Sequence, residues 1–183
     1  MPVLWTLVGV LVVGLAAGIV VFNRLVSLRN RVDNGWAQID VQLRRRYDLI
    51  PNLVETVKGY AAHEREVFEE VTNARSRAMD ASSVPDQANA ENQVTKGVRQ
   101  LLAVAESYPD LKANQNFLSL QEEITGTESK IAYARQFYND QVMRLNTLIG
   151  SFPSNAIAKL FRFSPREFFD IEEPVRGPAT VDF

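Results

Sequence analysis

The chain opens on "PVLWTLVGVLVVGLAAGIVVF", Pro2 to Phe22, which contains no ionisable side chain; the first charge is Arg24. At a rise of about 1.5 Å per residue, about 20 apolar residues cross the roughly 30 Å hydrocarbon core of a bilayer. A cleaved signal peptide fits less well. No basic residue precedes the run, and "LAAGIVVF" stays apolar where a cleavage site gives way to polar sequence. The expectation is an uncleaved transmembrane anchor over residues 1–22, with the lipid bilayer as its partner. Arg24, Arg29 and Arg31 flank only its downstream side, so the positive-inside bias places the N-terminus outside and the remaining chain in the cytoplasm. Within the anchor, Gly14 and Gly18 of "GLAAG" stand four apart on one helix face. Small residues at that spacing let a second backbone approach, which makes them candidate self-association contacts, although glycine is also simply common in such helices.

Past the anchor the pattern is helical throughout. Leu25, Leu28, Val32, Trp36, Ile39, Leu43, Tyr47, Ile50, Val54, Val57 and Ala61 follow one another by threes and fours and form one stripe. Val67 and Val71 extend it weakly, so residues 24–80 read as one kinked helix, with a loop at "ASSVPDQANA". A shorter helix, "ENQVTKGVRQLLAVAES", stops at "YPDLKAN". The longest later helix starts near Asn114, a suitable N-cap. Its stripe is Phe117, Leu120, Ile124, Ile131, Ala134, Tyr138, Val142, Leu145 and Ile149, and Gly150 followed by Pro153 stops it. Ser154 is placed to cap a short helix, "NAIAKLF". Strand alternation persists nowhere. The predicted fold is all-α: a transmembrane helix, an elongated antiparallel helical bundle over 23–163, and an irregular, extended tail over 164–183. In that arrangement the short helix returns towards the membrane. There it either caps the end of the bundle, the reading its length favours, or lays Ile157, Leu160, Phe161 and Phe163 on the lipid surface beside Lys159, Arg162 and Arg166.

Catalytic patterns are missing where they would be needed. Without cysteine there is no disulfide, thiol nucleophile or cysteine-ligated metal. His63 is the sole histidine, too few for a zincin helix or for a carboxylate-bridged di-iron bundle. It reads as a polar or half-buried helix residue, and Glu64, Glu66, Glu69 and Glu70 around it read as a solvated acidic face. No phosphate-binding glycine loop or nucleophile elbow occurs. The expectation is a non-enzyme with no cofactor and no metal.

"DVQLRRRYDLIPNLV" concentrates the remaining interest. A net charge of −2 gives no support for nucleic acid as a partner. Arg44 lies 22 positions beyond Phe22, about 33 Å along a helix against a screening length of about 8 Å, too far for lipid. With Leu43 at the centre of the stripe, Arg44 and Arg45 point away from it and Arg46 sits at its edge. Asp40 and Asp48 absorb part of the charge through i,i+4 pairing. Arg44, Arg45 and Arg46 are either a solvated face or a candidate protein-contact face. Pro51 cannot donate to the Tyr47 carbonyl and costs about 3 kcal/mol in a regular helix. Because the stripe keeps phase across it, a kink is expected rather than a chain reversal.

Several of these stretches together resemble the LemA family: "NRVDNGWAQIDVQLRRRYDLIPNLVETVKGYAAHE", "LLAVAESYPDLKANQNFLSLQEEITGTESKIAYARQFYN", "FPSNAIAKLF" and the closing "PATVDF". The resemblance implies a single-pass bacterial membrane protein, here in the inner membrane, with an antiparallel helical bundle and no established enzymatic activity. Two functions follow as expectations. The first is a scaffold that self-associates into a homo-oligomer and organises or recruits envelope components. The second is an adaptor of a membrane enzyme such as an envelope-stress protease, whose one hint is the tail, where Val181 and Phe183 alternate about Asp182 before a free carboxylate. Domains that add a terminal strand read such ends.

Overall fold

The structure, a computed structural model, describes residues 1–170 of the chain. It is all-helical over those residues: α1 (Pro2–Lys58), α2 (Arg65–Asp80), α3 (Val84–Glu106), α4 (Pro109–Lys112), α5 (Gln115–Gly150) and α6 (Ser154–Leu160). The chain divides into two compact units. One joins Met1–Arg46 to Ile124–Phe168; the other joins Tyr47–Glu123 to the chain from Phe169.

In the first unit α1 and α5 run antiparallel. Arg46 meets Glu128, Gly35 lies against Tyr138, and Trp36 packs its ring 5.6 Å from that of Tyr138, so ascending positions on α1 face descending positions on α5. The core is the predicted stripe: Leu25, Leu28, Val32, Ile39 and Leu43 from α1, with Ile124, Ile131, Tyr138, Val142 and Leu145 from α5. Thr127, also buried, fills the gap between Ile124 and Ile131. At Gly35 the backbones come so close that an added Cβ would stand 3.2 Å from the Tyr138 Cα.

The end of this unit is built by backbone chemistry. α5 stops at Gly150. Ser154 is the first residue of α6 rather than its cap, and its hydroxyl donates to the Leu148 and Ser151 carbonyls, tying the turn to the helix before it. α6 closes with Phe163 N–H on the Ala158 carbonyl and Arg162 N–H on the Lys159 carbonyl, and Arg162 takes φ 57°. That is a Schellman ending with an arginine where glycine is usual. It throws Phe163 back onto Phe22 and starts an extended strap. The strap is held by Asn146, whose amide accepts from Arg166 N–H and donates to the Arg166 carbonyl, each at 2.8 Å. Arg166 also pairs with Asp33 at 3.1 Å, and the Tyr138 hydroxyl donates to the Glu167 carbonyl at 2.9 Å. The irregular segment expected from residue 164 is thus bonded to the helices through Glu167.

The second unit corrects two helix boundaries. Residues 24–80 do not form one helix: α1 ends at Lys58, and the chain turns through residues 59–64 before α2. Gly59 weakens the helix there by about 1 kcal/mol relative to alanine. Tyr60 N–H shortens its bond to the Val57 carbonyl, and Ala61 is buried as the chain leaves. His63 therefore lies exposed in a turn, not on a helix. The second correction concerns "ASSVPDQANA", which is mostly helix. Ser83 caps α3 by accepting from Asp86 N–H while donating to the Asp86 carboxylate, and Pro85 occupies the first turn, where its missing N–H is no loss. Asn114 does cap α5, accepting from Phe117 N–H at 3.1 Å.

α2 and α3 form an antiparallel pair, with Lys96 bonded to Glu70 and Gly97 set against Val71. A Cβ on Gly97 would lie 3.1 Å from the Val71 Cα, whereas one on Gly126 in α5 would meet nothing within 4 Å. Gly126→Ala is expected to stabilise the chain by about 1 kcal/mol through helix propensity alone. Gly97→Ala gains the same propensity but forces two backbones apart, at about 1–3 kcal/mol, so its net effect is destabilising. Denaturant titration of the two variants should give shifts of opposite sign.

Candidate functional site

The apolar run forms the start of α1, and α1 continues without a break past Asn23 to Lys58. This is the one helix among the described residues long and apolar enough to cross a membrane, and none of its apolar window is buried against the rest of the chain. Its two glycines differ. Gly14 is open, with nothing near a Cβ placed on it, but a Cβ on Gly18 would meet Ile157 Cδ1 of α6 at 3.6 Å. Ile157 of α6 thus stands beside Gly18, while Gly14 is open.

α6 is seated at the end of the apolar run. Phe22 packs on Phe161 at 4.6 Å between ring centroids and on Phe163 at 6.0 Å, and the Arg29 guanidinium lies 5.5 Å over the Phe163 ring. Ala158 is buried beneath, while Phe152, Leu160 and much of Phe161 face outwards. The short helix thus caps the unit as expected and also presents apolar side chains beside residues 18–22.

The arginine triplet separates by depth. Arg44 is exposed and pairs with Asp40 at 2.9 Å, and Arg45 is exposed as well. Arg46 is only 1% exposed and binds Glu128 Oε1 through Nη1 at 2.6 Å. Its place in a contact face is corrected: it is a core residue. The signal was in the spacing, since Arg46 stands three after Leu43 and four before Ile50, both on the stripe.

Pro51 lies inside α1, which runs on to Lys58 with no reversal. The missing donor is supplied from elsewhere: Arg75 Nε of α2 donates to the Tyr47 carbonyl at 2.7 Å, the acceptor Pro51 leaves unserved. The Tyr47 hydroxyl donates to the buried Glu91 carboxylate, and Gln87 Nε2 bonds Tyr47 Oη, Glu91 Oε1 and the Ala78 carbonyl at 2.9, 2.8 and 3.0 Å. Sequence reading missed this junction of α1, α2 and α3 entirely. Phe183, the remaining candidate contact, lies outside the described residues, as does Val181. Among the described residues no three His, Asp or Glu side chains converge as a metal site.

One titrating group ties the strap to the helices. Burial pushes the Tyr138 phenol above its usual value, against the opposing pull of Arg166 and with Glu167 and Asp33 adding to the rise. The unfolded chain releases this proton near pH 10 while the folded chain still holds it, so the contribution is complete below about pH 10 and is lost as pH climbs through the folded value. Tyr138→Phe is expected to lower stability by about 1 kcal/mol at neutral pH and to flatten the alkaline fall in melting temperature.

An apolar N-terminal helix continuing into packed helical hairpins defines a class of single-helix, membrane-associated helical proteins. The chain belongs to the LemA family, whose family model matches residues 35–183. It is 22% identical over 179 residues to Magnetosome protein MamQ 2 of Paramagnetospirillum magneticum, covering 84% of this chain and 65% of that protein. It is 27% identical over 141 residues to Protein LemA of Metamycoplasma hominis, covering 75% of this chain and 63% of that protein. Magnetosome protein MamQ of Magnetospirillum gryphiswaldense is 20% identical over 174 residues, 81% of this chain and 64% of that protein. The chain thus spans just under two thirds of the length of these relatives.

Proposed function

We propose that this chain is a non-catalytic, membrane-anchored helical scaffold that self-associates and organises or recruits other envelope components. The observation that carries the reading is a second apolar surface, on the helices beyond the anchor. Val41 of α1 and Tyr133 and Phe137 of α5 are exposed by 60%, 74% and 41% and border one shallow groove of about 590 Å³ with Ala37 and Ala134. Large side chains left together in water mark an interaction surface, and a second copy of the chain is its occupant. Relatives named for a cellular structure rather than for a reaction support the same reading.

The anchor is the run at Pro2–Phe22, held in the inner membrane with its N-terminus outside, on the positive-inside argument. A reporter active only after export, fused after Phe183, should stay silent. For the scaffold itself, the full chain in mild detergent should sediment as an oligomer, and Val41→Ser/Tyr133→Ser/Phe137→Ser should sediment as a monomer. A wild-type chain that is monomeric at every concentration sinks the scaffold reading. The adaptor reading drew on Val181 and Phe183, and no observation among the described residues favours it.

A further inference from the structure

At the membrane end of the first unit, α1 and α5 leave between them a groove of about 480 Å³ lined by Arg24, Ser27, Arg31, Arg144, Thr147 and Ser151. We infer that this groove holds the phosphate of an anionic phospholipid. Three arginines from two helices line one concavity, no Asp or Glu lines it, and none of the three has an ion-pair or hydrogen-bond partner among the described residues. Like charges gathered in that way repel one another until an anion joins them. Guanidinium forks match the paired oxygens of a phosphate. The Ser27 and Thr147 hydroxyls can add donors, while that of Ser151 is already given to the Thr147 carbonyl.

Position selects the source of the phosphate. Arg24 follows Phe22, the last residue of the uncharged run, by two positions, about 3 Å along the helix, which is headgroup depth if the run spans the bilayer. Ile157 of α6 reaches back to Gly18 inside that run, and Phe152, next to Ser151, is 87% exposed at the same end. An apolar side chain that bare beside a basic groove suits acyl chains below and headgroups above. On α1 the Cα–Cβ bonds tilt towards the helix N-terminus, so Arg24 and Arg31 lean towards the membrane. The inference rests on the proposed anchor but not on its orientation.

The test uses the full chain in nanodiscs of phosphatidylcholine with a minority of phosphatidylglycerol, counting by native mass spectrometry the lipids that stay bound. The wild type should retain phosphatidylglycerol about tenfold above its bulk share, and Arg24→Gln/Arg31→Gln/Arg144→Gln should retain it at the bulk share. In pure phosphatidylcholine the variant should melt no lower than wild type, since it loses repulsion rather than a contact; equal lipid retention by both chains overturns the inference. If millimolar inorganic phosphate raises the wild-type melting temperature in neutral nanodiscs as much as phosphatidylglycerol does, the assignment to lipid is overturned in favour of a soluble phosphate. Alkaline carbonate extraction from neutral liposomes separates the two readings. Release of the wild-type chain removes the anchor, whereas a retained chain with no preference among lipids removes only the groove's assignment.

Discussion

Arg46→Ala is expected to destabilise the chain by about 3–5 kcal/mol, the range for breaking a buried ion pair, while Arg44→Ala changes stability by no more than about 0.5 kcal/mol. The two residues belong to one triplet, and sequence separates them only by the place of Arg46 at the edge of the apolar stripe. Arg46 is 1% exposed and its guanidinium is held at 2.6 Å by Glu128; Arg44 stands in solvent with a helix-surface partner. Deleting Arg46 removes a long side chain from a packed interior and leaves Glu128 facing the gap. Glu128→Gln keeps the shape and removes the charge, so it isolates the electrostatic share; it leaves the buried Arg46 guanidinium without its carboxylate and should be destabilising by a similar amount. Replacing both by leucine should recover much of the loss, because an apolar pair avoids the desolvation that the ions must overcome. Denaturant titration of the full chain in mild detergent measures all four variants. Equal midpoints for Arg46→Ala and Arg44→Ala would refute the burial of Arg46.

The second large effect sits at Pro51. Arg75→Met should cost about 1–3 kcal/mol, because the Tyr47 carbonyl loses the donor that stands in for the absent N–H of residue 51. Pro51→Ala restores that N–H within the helix. Combined with Pro51→Ala, Arg75→Met should therefore be much milder, giving a coupling energy of about 1 kcal/mol or more between two positions 24 apart in sequence. Strict additivity in the double-mutant cycle would show that Arg75 does not serve the proline. The same cycle explains why a residue that ordinarily bends or ends a helix leaves α1 running to Lys58, while a glycine eight positions later coincides with its end.

How much was legible divides along a physical line. Periodicity reports which face of a helix is dry, and the stripe from Leu25 to Val57 is buried except at Trp36, which is half-buried. Asn114 as N-cap and Gly150 as stop were readable because capping is satisfied within a few residues. Helix ends failed where a local signal had two meanings. Pro85 breaks a helix interior but belongs in a first turn, and only the Ser83–Asp86 hydrogen bonds tell which applies.

The sequence by itself determined the apolar N-terminal helix, the all-α class and the family, because each rests on composition or on runs of residues read along the chain. Tertiary structure alone decided that Glu128 pairs with Arg46, that Arg75 repairs Pro51, that Ile157 stands over Gly18, and that Arg144 joins Arg24 and Arg31 in one groove. Each of these depends on a partner from another helix. A charged side chain looks the same in sequence whether water, a carboxylate or a lipid phosphate is to neutralise it, so only the packing of distant segments assigns the partner.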